Sequence, residues 1–255
     1  MAIVKTHDYV EFYRYLANTS GLHQLSGRGN ENAATEHANA RILHGLQLTP
    51  DDTLLDIGCG DGCLLQMAGP KIRAVLGVVP NIEECEKIAA ARPGLAVKVG
   101  RAQRLPVESG SFSKIACNSV VSLLESRSEV AAALKEMARA AQPGALIWVG
   151  ELPSADELAE FGKYTGNSIF GFLAFELRKG ARQFVAALRS VISASLGRSM
   201  MALNASRIFY APPEEFIRMA ESCGLRYVSH FKYKRLDRSG ELIESPFRYN
   251  YIFSK

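Results

Sequence analysis

The sequence lacks the features that mark membrane, secreted and nucleic-acid-binding proteins. No apolar run approaches the roughly 20 residues needed to cross a bilayer, and no secretory signal is visible at the N-terminus. No Lys/Arg block is interleaved with aromatic residues, and the net charge of +4 is mild. We therefore expect a cytoplasmic protein that does not insert stably into a membrane and does not bind nucleic acid, with peripheral membrane contact left open.

The sequence also lacks the paired cysteines and histidines of a metal site or a disulfide framework. Its five cysteines are an odd number scattered along the chain, which favours reduced, mostly buried thiols. Cys59 and Cys63 lie four residues apart, but no second Cys or His pair lies nearby to complete a zinc site. No cluster of Asp, Glu, His or Asn matches a divalent-metal site, so we expect a metal-independent protein.

One stretch organises the rest of the chain. It runs from Leu54 to Gly62, where an apolar segment containing Asp56 is followed by glycines at alternate positions. This pattern predicts a strand, a tight turn and the start of a helix, and glycine there permits positive φ and close approach of a ligand to the backbone. The spacing G-x-G-x-G differs from the G-x-G-x-x-G of dinucleotide enzymes. A turn without a ligand is the alternative interpretation.

Around this stretch, apolar segments alternate with helical segments. The 255 residues suit one α/β domain, residues 1–255, with a doubly wound, mostly parallel seven-stranded sheet and flanking helices. We predict an N-terminal helical cap within residues 1–50 and a helical insertion at 152–210. Asn81 and Glu84 match the N-cap and N3 positions of the helix after the second strand. The predicted strands cover residues 53–57, 74–79, 96–99, 112–118, 145–150, 225–231 and 248–253.

The predicted insertion is rich in aromatic residues and arginine. The simplest interpretation is a lid whose apolar face packs on the sheet domain. A basic face that rests on a membrane surface or grips an anionic acceptor, with Arg178 and Arg182 among its cations, is the alternative.

The stretch from Leu54 to Gly62 resembles motif I of the class I S-adenosylmethionine-dependent methyltransferases. Residues 100–106 are similar to the family's loop after the third strand, residues 111–115 to the start of the fourth strand, and residues 141–145 to the turn before the fifth. The resemblance covers residues 53–150 well and extends to the C-terminus, where residues 211–216 and 223–225 are similar to the family's last helix and the glycine after it. It implies methyl transfer as the activity, S-adenosyl-L-methionine as the cofactor and an antiparallel pair of strands at the end of the sheet.

The resemblance also assigns cofactor-binding residues by position. The glycine loop would hold the methionine part of the cofactor, the end of the second strand the ribose, and the loop after the third strand the adenine. The residues at these positions, with one more at the end of the fourth strand, are Asp56, Gly58, Cys59, Gly60, Val79, Pro80, Ala102, Gln103 and Asn118.

Three positions depart from the family pattern. Val79 stands where an acid normally accepts the ribose hydroxyls, Arg101 where Asp is usual in the adenine loop, and Ser113 where Asp is common. Losing the ribose acceptor should weaken cofactor binding about tenfold to a hundredfold. Glu83 or Glu84, one turn into the next helix, could reach the hydroxyls instead, but a solvated helix face is the preferred interpretation of both.

An acceptor that carries a hydroxyl needs a group that removes its proton, and ligands of α/β sheets lie beyond the carboxyl ends of the strands. Glu151, after the fifth predicted strand, is the first candidate for this base. His23, in a polar loop at residues 20–30, is the second. Glu151 could instead cap the following helix or pair with an arginine of the insertion.

We therefore expect an O-methyltransferase that acts on a small hydroxylated acceptor, such as a sugar-like metabolite. A catalytically inactive methyltransferase-like binding protein is the main alternative, motivated by the missing acids. Methylation of protein, lipid or nucleic acid also stays open, whereas the glycine spacing and Val79 oppose a nicotinamide-dependent oxidoreductase. The sequence makes no prediction of the oligomeric state.

Overall fold

The structure, a computed structural model, describes residues 4–6, 8–27, 32–157, 201–203, 209–236 and 240–255, with a few single positions between 173 and 188. In these residues the helices are α1 (Tyr9–Thr19), α2 (Asn32–Leu46), α3 (Cys63–Ala68), α4 (Ile82–Ala91), α5 (Arg127–Ala140) and α6 (Pro213–Ser222). The strands are β1 (Val4–Thr6), β2 (Thr53–Ile57), β3 (Ala74–Val79), β4 (Val97–Val99), β5 (Phe112–Asn118), β6 (Ala141–Pro153), β7 (Met201–Leu203), β8 (Arg226–Leu236) and β9 (Leu242–Ser254).

Seven of these strands form one sheet in the order β4-β3-β2-β5-β6-β9-β8. The pairs from β4 to β6 are parallel, whereas β9 is antiparallel to both β6 and β8. The chain moves outward from β2 to β4 and then returns to the other side of β2 with β5, so the order reverses between β2 and β5. Ligands of open α/β sheets bind beyond the strand ends at such a reversal. The predicted fold class is confirmed.

The centre of the sheet is apolar because helices cover both faces. Strand β2 is buried at all five positions, as expected of a parallel strand between two helical layers. Leu54 packs with apolar residues of α2 and α3 on one face, and Leu55 and Ile57 pack with residues of α5 and α6 on the other. The core therefore fixes the end of β2, where the glycine loop begins.

Helix α1 lies against α4, near the carboxyl end of β3. The Arg14 guanidinium pairs with the Glu83 carboxylate at 3.2 Å between Nε and Oε1. The Lys87 ammonium donates to the Ala17 carbonyl at 2.6 Å and to the Ser20 carbonyl, which lie at the C-terminal end of α1. Helix α1 is thereby held as a cover over the carboxyl end of β3.

Two short strands depart from the sequence-based prediction. Strand β1 falls in the predicted helical cap at 1–50 and pairs in parallel with β7, which falls in the predicted helical insertion at 152–210. Three residues are too few to show a period of two in a sequence, so neither strand was foreseen. Most of the insertion, with Arg178 and Arg182, lies outside the described residues.

Three strands are longer than predicted. Strand β6 begins at Ala141 and passes through Pro143 and Gly144, which were predicted as a turn. A register shift between Phe112 and Lys114 of β5 accommodates the extra residues. Strands β8 and β9 likewise extend beyond 225–231 and 248–253, because they pair with each other over nearly their whole length.

Candidate active site

A cleft opens beyond the carboxyl ends of β2, β3 and β5, where the strand order reverses. Its volume is about 760 Å³ including the open mouth. Residues at the sheet side of the cleft are Asp56, Gly58, Cys59, Gly60, Pro80 and Asn118. Residues that cover it from α1, the 3₁₀ helix at Leu22–Ser26 and α2 include Tyr9, Tyr13, Leu25, Ser26, Thr35 and Asn39.

The glycine loop has the backbone geometry that the sequence predicted. Gly58, Gly60 and Gly62 have φ of 73°, 55° and 74°, in the left-handed region that favours glycine. A Cβ on Gly58 would lie 2.3 Å from Cγ2 of Val120, and one on Gly60 would lie 3.0 Å from the Leu25 carbonyl oxygen. Because these glycines have no side chains, the loop after β5 and the 3₁₀ helix can pack against the glycine loop. The backbone of the glycine loop also stays open to the cleft.

The Cys59 thiol packs against β3. A Cβ on Gly77 of β3 would lie 2.6 Å from the Cys59 sulfur, so the thiol packs against bare backbone there. Burial, followed by the nearby Asp56 and Glu84 carboxyls, raises the pKa of the Cys59 thiol well above its ordinary value. The thiol therefore stays neutral, and Cys59 lines the cleft as a packed residue of the glycine turn.

The end of β3 differs from the sequence-based expectation. Val79 is 1% exposed and packs in an apolar cluster with Leu25 and Ile88, so it is not among the residues that line the cleft. Pro80 lines the cleft. Glu84 also lines it and is only 2% exposed, which makes its interpretation as a solvated residue wrong.

The Glu84 carboxyl is held by the N-cap of its own helix. The Glu84 backbone N–H donates to Oδ1 of Asn81 at 2.9 Å, and the Asn81 amide Nδ2 donates to Oε1 of Glu84 at 2.5 Å. Burial raises the pKa of Glu84 to about 8. The hydrogen bond from Asn81 lowers this pKa, and the neighbouring Glu83 raises it further. An acid that is neutral at physiological pH thus faces the cleft.

The predicted adenine loop contacts α1 and does not line the cleft. Ala102 is buried in the main core, and Gln103 hydrogen-bonds the phenol of Tyr9 while its Oε1 is buried without a partner. Neither residue is among those that line the cleft, whereas Tyr9 is. Burial raises the pKa of the Tyr9 phenol despite the Gln103 hydrogen bond, so Tyr9 stays neutral. The exposed Arg101 is likewise not a lining residue.

Asn118 and Glu151 belong to one hydrogen-bond network at the ends of β5 and β6. Asn118 Oδ1 accepts from the Trp148 indole at 3.2 Å, and Nδ2 donates to Oε1 of Glu151 at 2.9 Å. The Arg248 guanidinium of β9 donates to Oε2 of Glu151 at 3.1 Å. Glu151 is 5% exposed with φ of 60°, and it is not among the residues that line the cleft. An arginine partner of Glu151 therefore lies on β9, and most of the insertion lies outside the described residues.

His23 lies on the outer side of the glycine loop. Its Nδ1 is 3.3 Å from Oδ2 of Asp61, and nearly half of its side chain is exposed. Asp61 also accepts from the Cys63 backbone N–H at 3.0 Å, and its carbonyl accepts from Nε of Arg92 at 2.6 Å. His23 is not among the lining residues, although Leu25 of the same 3₁₀ helix is. The structure therefore places His23 against the loop rather than over the cleft.

Ser113 lies at the opposite end of the sheet from the cleft. Its hydroxyl donates to Oδ1 of Asp52 at 2.7 Å and accepts from the Thr53 backbone N–H at 3.0 Å. Burial would raise the pKa of Asp52, but hydrogen bonds from Ser113 and Thr49 lower it below its ordinary value. Ser113 therefore ties the start of β5 to the start of β2, and the absence of an acid there has no bearing on the cleft.

The described residues contain no group of three or more His, Cys, Asp or Glu that could hold a metal ion. Among the helices described, none has both the length and the apolar composition needed to span a bilayer. The lining residues named in the cleft include three carboxyls, of Asp56, Asp61 and Glu84, and none of the described lining residues is Lys, Arg or His.

Sequence reasoning missed the covering residues of the N-terminal segment. Thr35 and Asn39 of α2 are 6% and 5% exposed and line the cleft. A polar residue on the buried face of a helix is unusual, and the helical period of α2 places both beside Ile42 on that face. That period was a signal available in the sequence.

Residues 55–149 match a family model described as a methyltransferase domain. No curated protein matches the sequence significantly. Solved structures with low sequence identity share the fold. A SAM-dependent methyltransferase from Methanosarcina mazei is 21% identical, with 84% of this chain and 96% of that chain covered and a TM-score of 0.57.

Two further structures extend the likeness over nearly the whole chain. The N-methyltransferase NodS from Bradyrhizobium japonicum WM9, in complex with S-adenosyl-L-homocysteine, is 12% identical and covers 96% of this chain and 98% of its own, with a TM-score of 0.59. The [4+2]-cyclase SpnF is also 12% identical, covers 100% of this chain and 97% of its own, and has a TM-score of 0.62.

Proposed function

We propose that this chain, a member of the S-adenosylmethionine-dependent methyltransferases through its domain at residues 55–149, methylates a hydroxyl of a small, uncharged acceptor. S-adenosyl-L-methionine is the cofactor of this family, and when bound it supplies a methyl group already activated by the adjacent sulfonium. The protein's own residues then have to hold the two molecules in line and exclude water.

The observation that carries the proposal is the chemistry of the cleft away from the glycine loop. The polar residues there are neutral: Thr35 and Asn39 from α2, with Asn118 and Ser119 after β5. They stand beside apolar side chains such as Leu123. Amides and hydroxyls in an apolar site can form further hydrogen bonds with a ligand that carries hydroxyl groups, since each such group both donates and accepts. An anionic acceptor finds no described cation among the lining residues.

The residues fit the cofactor as well. The positive-φ glycines offer bare backbone, and the carboxyls of Asp56 and Glu84 are acceptors for a ligand that carries hydroxyl and amino groups. We propose that Asn118 and Ser119 orient the acceptor hydroxyl toward the methyl group. The S–CH3 bond would break as the new C–O bond forms, and the hydroxyl proton would leave to water at the open mouth of the cleft. Glu151, clamped by Asn118 and Arg248, would then act as a positioning residue for Asn118 rather than as a base that touches the acceptor.

The first test is binding of S-adenosyl-L-homocysteine by calorimetry, followed by transfer of labelled methyl from S-adenosyl-L-methionine to a panel of small alcohols, phenols, amines and carboxylates. We expect binding, and transfer confined to hydroxylated neutral compounds. Preferential transfer to amines or carboxylates would refute the acceptor class. Failure to bind at millimolar ligand would refute the whole proposal.

The second test addresses Glu151. Glu151→Gln retains an oxygen that can accept from Asn118, so a positioning residue should keep turnover within about tenfold. A general base should lose turnover by a hundredfold or more while S-adenosyl-L-homocysteine binds as before. Lys234→Gln, which removes a surface ion pair with Glu244 elsewhere on the sheet, is the matched control. The same comparison with His23→Gln tests the second predicted base.

A binding protein without methyl transfer is the second candidate function. The likeness to a [4+2]-cyclase over the whole chain favours this candidate, because it shows that a protein with this fold need not be named for methyl transfer. S-adenosyl-L-homocysteine binding together with no methyl transfer to any acceptor class would support this candidate over the first.

A further inference from the structure

Glu84 is a buried carboxyl that faces the ligand cleft where the expected acid is missing. Val79, at the position of that acid, has its side chain in an apolar cluster. Glu84 stands five residues later, one turn into α4, and lines the cleft together with Pro80, the residue that follows β3. The helix thus returns a carboxyl to the carboxyl end of β3, next to the glycine loop.

One oxygen of the Glu84 carboxyl is held by Asn81, and the other is left for a hydrogen bond with a ligand. Within the described part of the chain, Asn81 is the only side chain that hydrogen-bonds the carboxyl, and it uses Oε1. Asn81 is itself fixed, because its Nδ2 also reaches the Val10 carbonyl of α1 at 3.4 Å. The adjacent Glu83 is engaged by Arg14 on the other side. The carboxyl is therefore oriented, with Oε2 left to a ligand.

We infer that Glu84 takes the two ribose hydroxyls of S-adenosylmethionine, in place of the acid that Val79 has replaced. The inference rests on the proposed function. A neutral carboxyl both donates and accepts, so it can serve two vicinal hydroxyls at once, and the pKa of about 8 supports this state at neutral pH. Val79 then costs the protein no ribose contact.

The test compares two ligands against variants of Glu84, using S-adenosyl-L-homocysteine and its 2′,3′-dideoxyribose analogue in calorimetry. We expect the wild-type protein to prefer the ligand with hydroxyls about tenfold to a hundredfold. Glu84→Met, an apolar change of similar size, should reduce that preference to about threefold or less. Glu84→Gln keeps a donor and an acceptor and should retain most of the preference, which guards against a folding defect in the methionine variant.

Glu86→Met is the matched control, because Glu86 is an exposed acid on the same helix. It should leave the preference unchanged. An undiminished preference in Glu84→Met would overturn the inference and leave the proposed function standing, since the loss expected of a ribose partner is specific to the ligand with hydroxyls. Binding of neither ligand by the wild-type protein would overturn both.

Discussion

Replacing Glu84 by glutamine should change how the stability of the ligand-free protein depends on pH. The pKa of this carboxyl is raised from its ordinary value of 4.5 to about 8, chiefly by burial. Between these two values the folded protein holds a proton that the unfolded chain releases. The stability that Glu84 contributes is therefore complete below about pH 4.5 and is lost as the pH rises through about 8. Glutamine does not titrate, so the variant lacks this loss.

The magnitude follows from proton linkage. Each pH unit in the window lowers the free energy of unfolding by about 1.4 kcal/mol for one proton, so raising the pH from about 5 to 7.5 should cost the wild-type protein about 3 kcal/mol relative to the variant. With a urea dependence of about 3 kcal/mol per molar, the difference corresponds to about 1 M in the unfolding midpoint. Burial of an ionised carboxyl in a cleft whose described lining residues include no Lys, Arg or His is the physical source of this cost.

The assay is urea unfolding of both proteins, followed by circular dichroism at several pH values between about 5 and 9. The free energies of unfolding of the two proteins are subtracted at each pH, which cancels the titration of the groups around Glu84. The surrounding groups are Glu83 of α4, Asp56 of β2, Asp61 of the glycine loop, and Tyr9 and Tyr13 of α1. Parallel pH profiles for the two proteins would refute the reasoning, because they would mean that Glu84 ionises as an exposed acid does.

Three further substitutions test the placement of side chains around the cleft. Gly58→Ala should destabilise the protein by about 1–3 kcal/mol, because the new methyl group would meet Val120. Adding Val120→Ala to the same chain should recover part of this loss. If the effects of the two substitutions on the free energy of unfolding were strictly additive, the contact would be contradicted. Gly60→Ala should weaken S-adenosyl-L-homocysteine binding about tenfold or more. Gly144 is the control, because it also has a positive φ, of 78°, but nothing lies near the position of a Cβ. Gly144→Ala should therefore lower stability by only about 1 kcal/mol and leave the affinity unchanged. Val79→Asp should lower stability by about 3 kcal/mol or more without tightening cofactor binding, and a tighter complex would show that this side chain does reach the ligand.

Much of the fold was predictable because buried parallel strands read as apolar runs bounded by glycine and proline. Strands β2, β3 and β5 have the predicted bounds for this reason. The glycine loop was predictable because G-x-G-x-G requires positive φ at spaced positions, which the structure has. The paired short strands β1 and β7 were not, since their partners lie almost 200 residues apart and each is only three residues long.

The side chains of the candidate site were harder to predict because their direction depends on helix phase and distant partners. Glu83 and Glu84 have the same chemistry, and successive helical residues point about 100° apart, so only the start of α4 decides which of them faces the cleft. Asn81, as N-cap, fixes that start, and this was the available signal. Nothing near Glu151 in the sequence indicates Arg248, which lies 97 positions later and reaches it only through the β6–β9 pairing.

The pairing of β1 with β7 has a kinetic consequence for the cover formed by α1. Strand β1 leads directly into α1, β7 contacts α1 as well, and Lys87 holds the other end of the helix at Ala17 and Ser20. A cover anchored at both ends cannot swing aside freely, so a cofactor must wait for one anchor to release. We therefore expect the observed rate of S-adenosyl-L-homocysteine binding in stopped-flow experiments to level off at high ligand concentration, at the rate of that opening. A rate that rises linearly with concentration throughout would mean that the cleft admits its ligand without such a gate.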